Sequence, residues 1–192
     1  MNFVKNSFIV NNKLQLAIVD KRIPKNMETN LNNMGVSIIK STCCSNTYEA
    51  IKYHPDISVC KLNDNNIVVA PNVYNYYKDV LKPYGFNVLC GDSIIKNKYP
   101  YNIHYNIVIL KNFAIHNFKY TDKVILNYLE KNNIKKINVS QGYCKCSICI
   151  VDDNSLITSD EGIYKEVIKY GIDCLLIEKG HIDLFELNYG FI

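Results

Sequence analysis

At 192 residues and 22.1 kDa, with 48% hydrophobic residues, the chain can bury one sizeable core and suits a single domain. Its net charge of +4 is spread out with no run of five Lys or Arg, which argues against a nucleic-acid or anionic-membrane surface. No apolar stretch approaches the roughly 20 residues that cross a bilayer. The N-terminus lacks a signal-peptide core, so a cytoplasmic protein with reduced cysteines is expected.

In chain order, a first strand is predicted over 15–19, followed by a turn near 20–23 and a helix over 25–34 with Pro24 in its first turn. Gly35 ends that helix and a strand follows over 36–39. A second unit has strands over 57–62 and 67–70 around the turn Asn63-Asp64-Asn65-Asn66, then a helix over 73–81, Gly85 and a strand over 87–90. The third has strands over 107–110 and 113–116, a helix over 122–131 and a strand over 136–139. The fourth has strands over 147–151 and 156–158 around Asp152-Asp153-Asn154-Ser155, with Ser159 or Asp160 capping a helix over 162–170. Gly171 and a strand over 173–177 close it, and 180–192 reads as the opening of a fifth unit.

The second and fourth units also align residue by residue. Cys60 falls on Cys149, Asp64 on Asp153 and Asn65 on Asn154 at one offset. With small gaps, Tyr77-Lys-Asp-Val-Leu falls on Tyr164-Lys-Glu-Val-Ile. This points to repeated strand–strand–helix–strand units of roughly 45 residues. A doubly wound sheet also alternates strands and helices, but it needs no hairpin in each unit, and neither G-x-G-x-x-G nor a P-loop occurs.

Such units, together with Gln141-Gly-Tyr-Cys-Lys-Cys-Ser147, Ile157-Thr-Ser-Asp160 and Tyr189-Gly-Phe-Ile192, resemble the pentein fold. That is the superfamily of guanidino-group-modifying enzymes, including arginine and agmatine deiminases, amidinotransferases and dimethylarginine dimethylaminohydrolases. Within it the texture is closest to small, uncharacterised clostridial proteins. The resemblance implies a pentein-like α/β propeller of ββαβ blades, with the site where the blade openings converge. This chain holds four blades and the start of a fifth. The termini, Phe8-Ile9-Val10 included, or a homo-oligomeric partner would complete the ring.

The resemblance also implies a cysteine-dependent hydrolase or deiminase acting on a guanidino or amidino small molecule, with no cofactor and no metal. A Cys nucleophile, a His acid/base and carboxylates gripping the guanidinium are the parts it asks for. His54-Pro55-Asp56 opens the second unit and Cys146 the fourth, in the family order, so Cys146, His54 and Asp56 are the catalytic candidates. Asp20, Cys144, Ser147 and His104 are substrate-site candidates, as are His181 and Asp183 of a second His-x-Asp.

Other readings stay open. His-Pro-Asp also makes a good turn, and Cys146 could pack at a strand start. Cys144-x-Cys146-x-x-Cys149, with Cys43-Cys44, could offer thiolates to zinc. The protein could equally be a non-catalytic binding or scaffold member of the fold. Cys60, Cys90, Cys149 and Cys174, in apolar runs, read as small buried hydrophobes.

Overall fold

A computed structural model describes Phe3, Asn6, Phe8, Ile9, residues 13–180 and Gly190. The chain forms a mixed α/β fold of four small, separate sheets. In the first, β1 (Leu16–Val19) lies parallel to β2 (Ser37–Lys40), with Leu16 opposite Ser37 and Val19 opposite Lys40. Helix α1 (Lys25–Asn33) joins them and buries none of its side chains.

The other three sheets share one strand order. β3 (Val59–Lys61), β4 (Asn66–Val69) and β5 (Asn87–Cys90) form one, and β6 (Val108–Ile109), β7 (Phe113–His116) and β8 (Lys135–Asn138) another. The third consists of β9 (Ile148–Ile150), β10 (Ser155–Thr158) and β11 (Asp173–Leu176). In each, an antiparallel hairpin is followed by a helical crossover to a parallel strand.

The hairpin turns use the chemistry expected of them. The Asn63 side chain accepts from the Asn66 N–H at 3.1 Å, and Asp152 accepts from the Asn154 N–H at 2.7 Å. The crossover helices are α3 (Tyr74–Leu81), α4 (Lys123–Lys131) and α6 (Glu161–Val167). Each buries a pair four residues apart, namely Tyr77 with Leu81, Ile125 with Leu129, and Ile163 with Val167. That spacing puts both members on one helix face. Asp122 and Asp160 cap α4 and α6 through the N–H groups of Val124 and Ile163. Past α3 and α6 the chain turns at Gly85 and Gly171, with φ of 81° and 75°, a backbone shape that favours glycine.

Two clusters form the core, and the β6–β8 sheet contributes to both. Along β7, Ala114 belongs to one cluster and Ile115 to the other, as the two-residue period of a strand dictates. Two expectations are corrected. The unit openings are not simply strand: α2 (Pro55–Ser58) and α5 (Cys144–Ser147) are single helical turns leading directly into β3 and β9. Of the four strand cysteines only Cys60 is fully buried, while Cys90 and Cys149 are exposed and Cys174 is half-buried. Cys149 points outward because it alternates with the buried Ile148 and Ile150, and Cys90 ends an outer strand. Among the described residues no helix is long and apolar enough to cross a membrane.

Candidate active site

The two helical turns bring chemistry together from opposite parts of the chain. Pro55 at the start of α2 removes an N–H that would otherwise lack a partner, and Asp56 follows it. Turn α5 is held from behind. The Ser147 N–H reaches the Tyr143 carbonyl at 3.0 Å, the Tyr143 N–H reaches the Gln141 side chain at 3.0 Å, and Gln141 in turn donates to Asp160 at 3.0 Å. Sequence residues 90 apart then meet: the Cys146 thiol lies 2.8 Å from Asp56 Oδ2 and donates to it.

Between them sits Asn106, fully buried. Its side-chain nitrogen is 2.9 Å from Asp56 Oδ2, 3.3 Å from Cys146 Sγ and 3.3 Å from the Asp56 carbonyl. Its Oδ1 accepts from the Lys145 N–H at 2.7 Å. The Lys145 side chain crosses to the other unit and donates to the Val59 carbonyl at 2.6 Å. Burial pushes the Cys146 thiol well up and the Asp56 carboxylate adds to this, while the Asn106 hydrogen bond and the Lys145 charge oppose it. The resting sulfur is therefore a protonated thiol.

A second group of residues gathers where β1 ends. Arg22, the chain's single arginine, grips Asp20 with two prongs at 3.0 and 2.8 Å. It also donates to the carbonyls of Glu49 and Ala50 at 3.1 and 2.9 Å, and lies 5.3 Å from the Tyr53 ring centre. Burial alone would raise the Asp20 carboxyl, but the Arg22 hydrogen bonds and charge outweigh it and hold it below its ordinary value. His54 Nε2 is 3.7 Å from Oδ2 of that carboxylate, the oxygen that also accepts from Arg22 Nη2. Asp20, Arg22, Glu49 and His54 line an open cleft of about 470 Å³.

The structure thus pairs Cys146 with Asp56 and His54 with Asp20. Among the described residues no hydrogen bond or ion pair joins His54 to Cys146. Cys144 is fully buried, donates to the Gln141 carbonyl at 3.2 Å, and has its thiol raised by burial and by the Asp160 charge. Ser147 is fully buried, and its hydroxyl has no partner among the described residues. His104 Nδ1 lies 2.6 Å from the Tyr120 carbonyl, which ties it to the loop before α4. His181 and Asp183 lie outside the described residues. Among those described, no group of three or more His, Cys, Asp or Glu is placed to hold a metal ion.

Sequence reasoning missed Asn106, Lys145 and Arg22. Two signals were available for them. Asn106 is an amide at the head of the apolar run Ile107–Leu110, and buried amides must be paired. Arg22 stands alone among 22 Lys and Arg.

Residues 18–192 match the model of a protein family described as a family of unknown function, DUF6873. The chain belongs to that family. No curated protein matches this DUF6873 member in sequence.

Solved structures do match it. A dimethylarginine dimethylaminohydrolase, solved as an adduct with 4-chloro-2-hydroxymethylpyridine, has a TM-score of 0.52 at 10% identity over 91% of this chain and 69% of its own. The enzyme of the same name from Pseudomonas aeruginosa, a cysteine-to-serine variant complexed with citrulline, gives 0.50 at 11% identity over 92% and 68%. The agmatine deiminase of C. jejuni gives 0.47 at 12% identity over 91% and 62%. The DUF6873 chain therefore spans 62% of the deiminase and 69% and 68% of the two hydrolases. Its fold is similar to that of pentein-fold enzymes.

Proposed function

We propose that this protein is a cysteine-dependent hydrolase or deiminase acting on a guanidino or amidino small molecule, with Cys146 as nucleophile. In this reading residues 1–192 form one cytoplasmic, pentein-like domain. The four sheets are blades of an α/β propeller whose openings converge at Asp56, Asn106 and Cys146. A second copy completes the ring. The observation that carries the reading is the 2.8 Å contact between the Cys146 thiol and a carboxylate brought from another unit.

The chemistry follows from that contact. A guanidinium drawn to Asp56 offsets the negative charge that adds to burial in keeping the thiol protonated, so substrate binding itself favours the thiolate. The S–H proton passes to solvent, the sulfur forms a bond to the central carbon, and an amine leaves with a proton donated by His54. Water next attacks the same carbon and the carbon–sulfur bond breaks, regenerating the thiol. His54, poised by Asp20, is the acid and base for both steps.

A second reading has its own support. Arg22 already fills the carboxylate fork of Asp20, as a ligand's guanidinium would, and His54 turns towards Asp20. A non-catalytic binding or scaffold protein would tolerate both.

The two readings differ in how the thiols label. A haloacetamidine presents an amidinium head, whereas iodoacetamide is neutral. On the enzyme reading Cys146 is the thiol most rapidly modified by the amidine. Asp56→Asn removes that preference while sparing iodoacetamide labelling, and His54→Ala slows the reaction with substrate. Equal labelling of Cys146 and the exposed Cys43 by both reagents, indifferent to Asp56, would favour the non-catalytic reading.

A further inference from the structure

Asn106 makes polar contacts to Asp56, Lys145 and Cys146 at the candidate site. It is fully buried, and burying an amide is unfavourable unless its donors and acceptor are used. Its orientation is set by its neighbours. The Lys145 backbone N–H can only donate, so the oxygen faces it at 2.7 Å, and the NH2 group is thereby aimed at Asp56 and the sulfur. Its two N–H bonds serve three acceptors: Asp56 Oδ2 at 2.9 Å, the Asp56 carbonyl at 3.3 Å and Cys146 Sγ at 3.3 Å. It reaches the site from the segment leading into β6, so it links the openings of three successive sheets.

We propose that Asn106 is a positioning residue that holds Cys146 against Asp56 and supplies the N–H donor that receives the sulfur's negative charge. The assignment rests on the reading of Cys146 as the reactive thiol. When the S–H proton leaves, the sulfur loses its donated bond to Asp56 and faces that carboxylate as a like charge. The charged and titratable groups that face it are Asp56 from α2, Lys145 from its own turn, and Tyr143 just before that turn. The Lys145 ammonium donates to the Val59 carbonyl at 2.6 Å and to the Asp56 carbonyl at 3.4 Å, and the Tyr143 phenol is itself raised by burial. That leaves the Asn106 amide as the neutral donor already in contact with the sulfur. An amide at this position stabilises the thiolate without drawing a proton or neutralising Asp56, which stays available for a cation.

The test is the pH profile of Cys146 alkylation by iodoacetamide, read by mass spectrometry, in the wild-type protein and in Asn106→Asp and Asn106→Leu. Asn106→Asp keeps an oxygen for the Lys145 N–H but places a carboxylate where the donor was. Asn106→Leu keeps the approximate volume and removes every hydrogen bond. Loss of one charge-assisted hydrogen bond corresponds to about a tenfold lower thiolate fraction. Labelling on the acid side of the profile should therefore slow about tenfold in Asn106→Leu, and at least as much in Asn106→Asp. The rate at high pH, where the sulfur is fully ionised, should stay within about twofold of wild type in any variant that remains folded.

A folded Asn106→Asp with an unmoved profile overturns the proposal. So does a lowered high-pH rate with the midpoint unchanged, which would mean only altered access. If neither variant folds, the wild-type protein still decides. The Asn106 side-chain amide resonances should shift with the same midpoint as Cys146 labelling and should cease to do so in Cys146→Ser. Resonances that stay fixed across that midpoint refute the assignment. A protein that shows the expected profile but ignores haloacetamidine keeps the role of Asn106 and loses the guanidino reading.

Discussion

Acid should begin to destabilise this protein through the buried His116, above the pH at which Asp20 responds. His116 ends β7 with no exposure, its Nδ1 2.6 Å from the Thr121 hydroxyl and its Nε2 3.1 Å from the Gly142 carbonyl. One neutral tautomer satisfies both: the hydroxyl donates to Nδ1 and Nε2–H donates to the carbonyl. Burial pushes the imidazole down from 6.5 to about 3, with the Gly142 hydrogen bond opposing and the Lys145 charge assisting. Below 6.5 the unfolded chain therefore binds a proton that the folded chain refuses, so the contribution is complete above 6.5 and is lost as pH falls towards about 3.

The slope within that window approaches about 1.4 kcal/mol per pH unit, so a fall of about two units from the ordinary histidine value costs about 2 kcal/mol. Asp20 contributes in a lower window that overlaps only the acid end of this one. Its folded value is depressed, so its stabilisation is present above 3.8 and lost only below that. With no Trp and 15 Tyr, urea unfolding is best followed by circular dichroism or tyrosine fluorescence. His116→Gln retains one donor and one acceptor and cannot titrate, so the gap between the two proteins should close by about 2 kcal/mol over the same two units. A gap independent of pH, or a wild-type stability that stays flat across the window, refutes the argument.

Arg22→Lys should lower the stability of the fold by about 1 kcal/mol in urea titrations, because an ammonium cannot reproduce the two-pronged contact with Asp20. An unchanged midpoint would reduce the pair to a solvated surface contact. Gly142→Ala should cost about 1–3 kcal/mol and slow Cys146 labelling, measured by thermal melts and mass spectrometry. An added Cβ there would sit 2.5 Å from Ile103 Cδ1 and 2.8 Å from the Tyr99 ring, in the loop that leads to α5. A stable variant with unaltered labelling would show that this loop has room to move.

What the sequence alone determined is local. The strand–strand–helix–strand order could be read from local patterns, and Asn and Asp marked the hairpin turns. Glycine marked the helix stops at Gly85 and Gly171, because a positive φ is costly for other residues. His54-Pro55-Asp56 and Cys146 were singled out by the order that the resemblance to the pentein fold implies. Pairing across the chain is not short-range. The meeting of Asp56 with Cys146, the turning of His54 towards Asp20, and the burial of Asn106 and His116 depend on how separate sheets pack, which no spacing encodes. The same packing decided that Cys60 is core and Cys149 surface, though both occupy matching places in apolar runs. A strand's alternation tells which residues share a face, and only the neighbouring sheet decides which face is buried.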